Sequence, residues 1–390
     1  MGKSQRKREE IEEKYTWDLS HIYKKDSDWK TDFNKVSKEI KQITKFKGIL
    51  VSNAKNLLDY LELSCLLERK LYKLYYYANL KHDQDTTNAK YQEMLGKIKN
   101  LLNEYEELDA YANPEMMNVD YKLIKSFYKQ EPKLKEYKFI LENLYRFKKH
   151  ILNDEVEKTL SSLSKVFDNS SETFEMLTDA DLKFGTITDE HGQEVELTES
   201  NYHGFLQSKN REIRKQAFEK ILGKYGEFKN TVSSTFAGNV EMLTTLAKLK
   251  HYNSSLEAAL FSNNIDIKVY NNLIDTVNNN LNVIYKYFAL KKDFLKVDEF
   301  HLYDQYVDLV KKSAKEYSFE EGKRIVLEAL SILGNDYINN LNKAFDERWI
   351  DVYNNVGKRG GAYSSGFYDT KPYVLLNYEN TLNDVSTLAH

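Results

Sequence analysis

The side chains able to do chemistry in this chain are sparse and mostly isolated. Gly357, Gly360, Gly361 and Gly366 place four of the fifteen glycines within ten residues, beside Lys358 and Arg359. Glycines next to two cations suggest a phosphate cradle, but that loop needs Gly, four residues, then Gly-Lys-Ser/Thr opening a helix. Here Gly-Lys comes first and an extended run follows. No Gly-x-Gly-x-x-Gly fingerprint with strand–helix alternation occurs either, so nucleotide binding is disfavoured. The eight histidines are His21, His82, His150, His191, His203, His251, His301 and His390. No two stand four apart, so no helix carries a two-histidine metal face. Seven of them read as surface or capping residues. No Gly-x-Ser-x-Gly elbow is present. Cys65, the single cysteine, excludes an intramolecular disulfide and a cysteine zinc cluster. Its setting, Leu-Ser-Cys-Leu-Leu, reads as a small buried hydrophobe.

His390 differs from the other histidines in what leads to it. Tyr373-Val-Leu-Leu-Asn-Tyr378 is a strand-like run, apolar enough to be buried on both faces. Glu379 to Asp384 reads as a turn with a helix cap, and Val385, Leu388 and Ala389 begin an apolar-faced helix reaching His390. Elsewhere helical spacing dominates, and three prolines leave few breakers. Tyr91, Met94, Leu95, Ile98, Leu101, Leu102, Tyr105 and Leu108 form one stripe. A second helix opens at Asn153 or Asp154 and carries Val156, Leu160, Leu163 and Phe167. A third follows Asn210, with Ile213, Ala217, Phe218, Ile221 and Tyr225 inward. The same spacing returns from Val269 to Leu290 and from Phe319 to Leu333. The 29 tyrosines are mostly core aromatics on these stripes. Residues 181–198 break the pattern: Leu182 and Phe184, then Val195 and Leu197, alternate with polar residues around a turn at His191-Gly192. This is a hairpin and a lobe boundary, with Thr198 capping the next helix.

Composition narrows the classes further. Lys plus Arg number 57 and Asp plus Glu 60, a formal charge of −3, which gives no basic surface for nucleic acid. With 41% hydrophobic residues the chain can bury a sizeable core. Its longest apolar run, Leu74 to Ala78, is far below the ~20 residues that span a bilayer. Residues 1–14 are a charged start, with Lys3, Arg6, Lys7 and Arg8 before Glu9, Glu10, Glu12 and Glu13, and carry no export signal. A cytoplasmic protein is expected.

Several fragments, in this order, carry a family resemblance. They are Tyr15-Thr-Trp17-Asp18-Leu19 with Ile22-Tyr23 and Trp29; Asp181-Leu-Lys-Phe184 with the Asp-Glu-His-Gly hairpin; and Asn210-Arg-Glu-Ile-Arg214. Tyr303-Asp304, Arg348-Trp-Ile-Asp351, Gly357-Lys-Arg-Gly-Gly-Ala-Tyr-Ser364, Pro372 to Tyr378 and Leu388-Ala389-His390 follow. The chain resembles oligoendopeptidase F, among the thimet-oligopeptidase-like zinc metallopeptidases, over essentially its whole length. One departure is Gly360, where the family pattern Gly-Lys-Arg-Ser-Gly-Ala-Tyr has Ser.

The resemblance implies a mostly α, elongated, two-lobed body with a small hairpin or short sheet and a peptide channel. It implies an N-terminal lobe over residues 1–197 and the first part of a catalytic domain over 198–390. It makes His390 the first histidine of His-Glu-x-x-His and so a zinc ligand, with the catalytic Glu and the remaining ligands beyond this sequence. The implied activity is zinc-dependent cleavage of short peptides, with a zinc-bound water as nucleophile. On this reading residues 1–390 alone are inactive, and the partners are peptides rather than nucleic acid or membrane. The expected substrate side is Gly360, Gly361, Tyr363, Tyr373, Asn377 and Tyr378, with Tyr373 to Tyr378 as the cleft-edge strand. The alternative is a non-catalytic helical fragment or degenerate relative that at most binds peptides or a complementary piece.

Overall fold

The computed structural model describes residues 6–310 and 315–390; Lys3 of the charged start lies outside them. The chain forms two compact units, Met1–Arg146 with Ala314–His390, and Phe147–Ser313.

The first unit opens with short 3-10 turns and then helices α1 (Asp26–Glu39), α2 (Ala54–Gln84), α3 (Ala89–Asp109), α4 (Ala112–Asn118), α5 (Tyr121–Gln130) and α6 (Lys138–Phe147). Helix α2 is long because neither Gly nor Pro interrupts it, and Leu57, Leu61, Ser64, Leu67, Leu71, Leu74 and Ala78 recur every three or four residues on its buried face. Asn53 caps it by accepting from the Asn56 amide. The stripe expected on α3 is buried at Met94, Leu95, Ile98, Leu101 and Tyr105, in one core with α2.

The second unit holds α7 (Asp154–Ser162), α8 (Ser164–Glu175), the hairpin strands β1 (Thr186–Thr188) and β2 (Glu194–Glu196), then α9 (Glu199–Leu206), α10 (Arg211–Glu227), α11 (Lys229–Leu249), α12 (Ser255–Phe261), α13 (Ile267–Asn279) and α14 (Leu281–Leu295). The hairpin is where the alternation placed it, with Ile187 opposite Val195. Thr198 and Asn201 form the expected capping box on α9. Ile187 and Leu197 share a core with Ile213, Ala217 and Ile221 of α10. The hairpin therefore lies inside this unit, whereas the sequence places a lobe boundary after residue 197. Two helical expectations also change. The helix from residue 153 to Phe167 breaks between α7 and α8. The apolar stripe from Val269 to Leu290 exists, but Val269, Leu273, Val277 and Leu290 are exposed. His150 is 3% exposed, stacked on Tyr252 with Nδ1 on the Lys250 carbonyl; it is a core residue, not a surface one.

The chain then re-enters the first unit with α15 (Phe319–Ala329), α16 (Asn335–Asp346), strands β3 (Ile350–Asp351), β4 (Tyr363–Ser365) and β5 (Tyr373–Leu375), and α17 (Leu382–Ala389). These strands form a sheet in the order β3-β5-β4, with β5 parallel to β3 and antiparallel to β4. One face, carrying Tyr373, Leu375 and Tyr363, packs on the α2 core. The other, carrying Ile350 and Val374, packs on Phe319, Val326 and Val385.

Two buried carboxylates tie distant segments together. In the first unit Asp351 is 0% exposed; it accepts from Lys358 Nζ at 2.6 Å and from Arg8 Nη1 at 2.8 Å. In the second, Asp304 accepts from Arg214 at 2.7 Å and Arg211 at 3.0 Å. Burial pushes the Asp304 carboxyl up, but the two guanidinium hydrogen bonds outweigh it and the net shift is downward. A carboxyl held below its unfolded value stabilises the fold above that value and loses the contribution as pH falls through the folded one. The thermal midpoint of the second unit should therefore drop as the pH falls below about 4, and Asp304→Asn should flatten that acid limb. Asp351→Ala leaves the buried Lys358 ammonium facing Arg8 with no carboxylate between them, and should cost about 3–5 kcal/mol in urea unfolding.

Candidate functional site

Among the described residues the sheet of the first unit leaves one strand edge unpaired. The outer side of β3 is covered by the N-terminal segment: the Asp18 amide donates to the Arg348 carbonyl at 2.7 Å and the Val352 amide to Tyr15 at 2.9 Å. Strand β5 is interior. Its Val374 amide donates to Trp349, and the Leu376 amide just beyond it to Asp351. Alternation along the strand turns Tyr373 and Leu375 toward β4, where they pair with Ser365 and Tyr363. Ser364, between them, therefore presents its N–H and C=O outward. That is the open edge to which an extended peptide can add as a further strand.

A docked turn delivers the chain to this edge. Helix α2 ends with carbonyls that have no partner within the helix, and the negative end of its dipole lies there. The turn at residues 355–359 caps that end. The Arg359 amide donates to the Asp83 carbonyl at 3.0 Å, and the Asn355 side-chain amide donates to the Gln84 carbonyl at 3.1 Å. The Thr86 amide bonds the Gly357 carbonyl at 2.7 Å. Gly357 has φ +76°, and a Cβ there would clash with an Asp85 carboxylate oxygen. Lys358 is folded beneath the turn, its ammonium donating to the carbonyls of Asp351 at 3.2 Å and Tyr353 at 2.7 Å as well as to the Asp351 carboxylate. Burial pulls that ammonium below its ordinary range despite the carboxylate beside it.

The sequence-derived site residues separate in the structure. Tyr373 is 0% exposed and donates to the Asp18 carbonyl at 3.0 Å. Tyr378 is buried against Phe319 and donates to the Tyr317 carbonyl at 3.1 Å. Both are core residues, and their strand is central, so the expectation of an edge at Tyr373 to Tyr378 is corrected to Tyr363–Ser365. Asn377 faces the turn and donates to the carbonyls of Arg359 at 3.1 Å and Gly361 at 2.7 Å. Its Oδ1 is buried without a partner among the described residues. Asn377 thus holds the turn. Gly360 and Gly361 are exposed, and Gly361 takes φ +78°. Tyr363 donates to the buried Asp83 carboxylate at 2.7 Å, and burial with that charge beside it holds its hydroxyl protonated far above the ordinary range. His390 is exposed just past α17. Among the described residues no three His, Cys, Asp or Glu side chains are grouped to hold a metal. One imidazole does not make a zinc centre.

Sequence reasoning missed Asp83 and Asp351. Asp83 follows a Lys-His pair at a helix end and Asp351 closes the Arg348-Trp-Ile-Asp fragment, but neither context discloses the partners more than 250 positions away, Tyr363 and Arg8.

Among the described residues the chain is mostly helical, with a two-stranded hairpin and a three-stranded mixed sheet. Two family models match, Peptidase family M3 over residues 205–390 and Oligopeptidase F over residues 115–184. Over these residues the chain is similar to the oligoendopeptidases of peptidase family M3. It is 38% identical to oligopeptidase PepF of Bacillus subtilis over 98% of this chain and 57% of that protein. It is 38% identical to the chromosomal oligoendopeptidase F of Lactococcus lactis subsp. cremoris, over 98% of this chain and 64% of that protein. A crystal structure from Chlamydophila abortus superposes with TM-score 0.86 at 35% identity, covering 99% of this chain and 65% of that one. Oligoendopeptidase-F from Enterococcus faecium gives 0.63 at 32% identity, covering 82% and 60%. The chain thus spans under two thirds of these relatives. No helix among the described residues is long and apolar enough to cross a membrane.

The turn geometry separates two glycines that look alike in the sequence. Gly357→Ala meets both a left-handed backbone and the Asp85 carboxylate, so it should lower stability by at least about 1–2 kcal/mol. Gly360 has no positive φ, and a Cβ there would meet only open space. Gly360→Ser should leave the thermal midpoint within about 1 °C of the parent, as expected of a neutral surface change.

Proposed function

We propose that the protein acts on short peptides as a zinc endopeptidase, and that residues 1–390 carry its substrate side. The observation that supports this most directly is the open β4 edge at Ser364, held beside the glycine turn and in the same unit as α17 and His390. An extended oligopeptide would pair its main chain with Ser364, and the exposed Gly360 and Gly361 would let it approach the turn closely. Tyr363, packed on the α2 core and bonded to Asp83, would fix the strand from behind rather than line a subsite. Backbone pairing is indifferent to side chains, which suits a peptidase that accepts many sequences.

For the metal side, His390 would supply one ligand, and zinc when bound by a full set of ligands would supply an activated water. The described residues provide neither a second and third ligand nor a placed general base. A polypeptide of residues 1–390 is therefore expected to bind peptides without cutting them. A fluorogenic nonapeptide should stay intact with added zinc, and chelator-sensitive turnover would contradict this. Ser364→Pro removes the outward N–H at a position where an edge strand tolerates proline. Losing one main-chain hydrogen bond of about 1 kcal/mol should weaken nonapeptide binding about fivefold with the thermal midpoint held. Unchanged binding would remove β4 from the substrate side.

A further inference from the structure

We propose that Asp83 is the positioning residue of the peptide-binding edge: its buried carboxylate fixes β4 in register through Tyr363 and Arg359. The proposal rests on the reading that peptides add to β4, and it concerns a residue on α2 that no sequence motif marks.

Four observations carry it. First, the position is an unfavourable one for an acid. Asp83 is 0% exposed and lies at the C-terminal end of α2, where the helix dipole opposes negative charge and a lone buried carboxylate is costly. Second, its orientation is fixed from within the helix. Asn79 Nδ2 donates to Oδ2 at 3.1 Å, and His82 Nδ1 lies 3.0 Å from Oδ1. Third, its remaining capacity is directed at the turn and the edge strand. Tyr363 Oη donates at 2.7 Å and Arg359 Nη1 at 3.3 Å, while the Asp83 carbonyl takes the Arg359 amide. Fourth, the strand it holds is short. With three residues and a partner on one side, β4 has few ladder bonds of its own to resist a one-residue slip, which would exchange its inward and outward positions. Slippage would bury the Ser364 N–H and C=O in the β5 ladder and turn Tyr363 outward. The Tyr363–Asp83 bond, one residue from Ser364, prevents that slip.

Hydrogen exchange and peptide affinity on the 390-residue chain test the proposal together. Asp83→Ala should speed exchange of the Tyr363 and Ser365 amides at least tenfold and weaken binding of a fluorescent nonapeptide about tenfold. The Val374 and Leu376 amides, which bond on the β3 side, should keep their protection. Tyr363→Phe removes the same bond from the strand's side and should move both readouts in the same direction. Asp83→Asn, which keeps one acceptor oxygen, should fall between Asp83→Ala and the parent. If Asp83→Ala does not fold, Tyr363→Phe decides. Unchanged exchange at Tyr363 and Ser365 would overturn the proposal, and so would equal loss of protection at Val374 and Leu376, since Asp83 would then be a general stabiliser. The two readings fail separately. Binding that ignores Ser364→Pro defeats β4 as the peptide edge. Binding that responds to Ser364→Pro but not to Asp83→Ala defeats the role of Asp83 alone.

Discussion

The ion pair between Asp351 and Lys358 is the contact on which the rest of the site depends. Both side chains are fully buried, so each charge has lost its water, and only a saturated set of partners makes that tolerable. The set is complete. The ammonium has the carboxylate and two backbone carbonyls, and the carboxylate also receives Arg8. Because these groups come from β3, from the turn after it and from the N-terminal segment, satisfying the charge forces all three together. The pair contributes specificity more than net stability: one arrangement of the segments meets its demands, and alternatives strand a charge.

That constraint leads directly to the site. With Lys358 pinned below, the turn lies across the end of α2 and supplies the hydrogen-bond donors that the last helical carbonyls lack. The helix end gains its cap from residues more than 270 positions later, and the turn gains a rigid platform. Asn377 closes it from the other side by bonding two turn carbonyls. Strand β4 leaves this platform with its register set, while the N-terminal segment covers the opposite edge of the sheet. Among the described residues the sheet thus keeps a single unpaired edge, at β4, which limits strand pairing elsewhere.

The helices were legible because burial imposes a 3.6-residue period that no other element shares, as on α3 and α10. Caps at Asn210 and Thr198 were legible because their side chains act on the next turn of the same chain. The hairpin was legible from strict alternation about His191-Gly192. The site was legible as a segment but not as an arrangement. Tyr373 to Tyr378 has the composition of a buried strand, and its first three residues form one, yet composition does not say whether a buried strand is central or at an edge. Tyr363 to Ser365, the real edge, is too short and too polar to announce itself. The stripe on α13 shows the converse: amphipathic spacing marks an apolar face without naming what covers it.

By itself, then, the sequence determined the local elements, the family and the stretch of chain where the site forms, because those follow from interactions between near neighbours and from motifs kept in order. Only the tertiary structure decided which strand is the edge, which acids are buried, and that Asn377 serves the turn, while Tyr373 and Tyr378 serve the core. Those outcomes depend on contacts between residues hundreds of positions apart, where the desolvation of a charge or the capping of a helix end is settled by whatever segment the fold brings alongside.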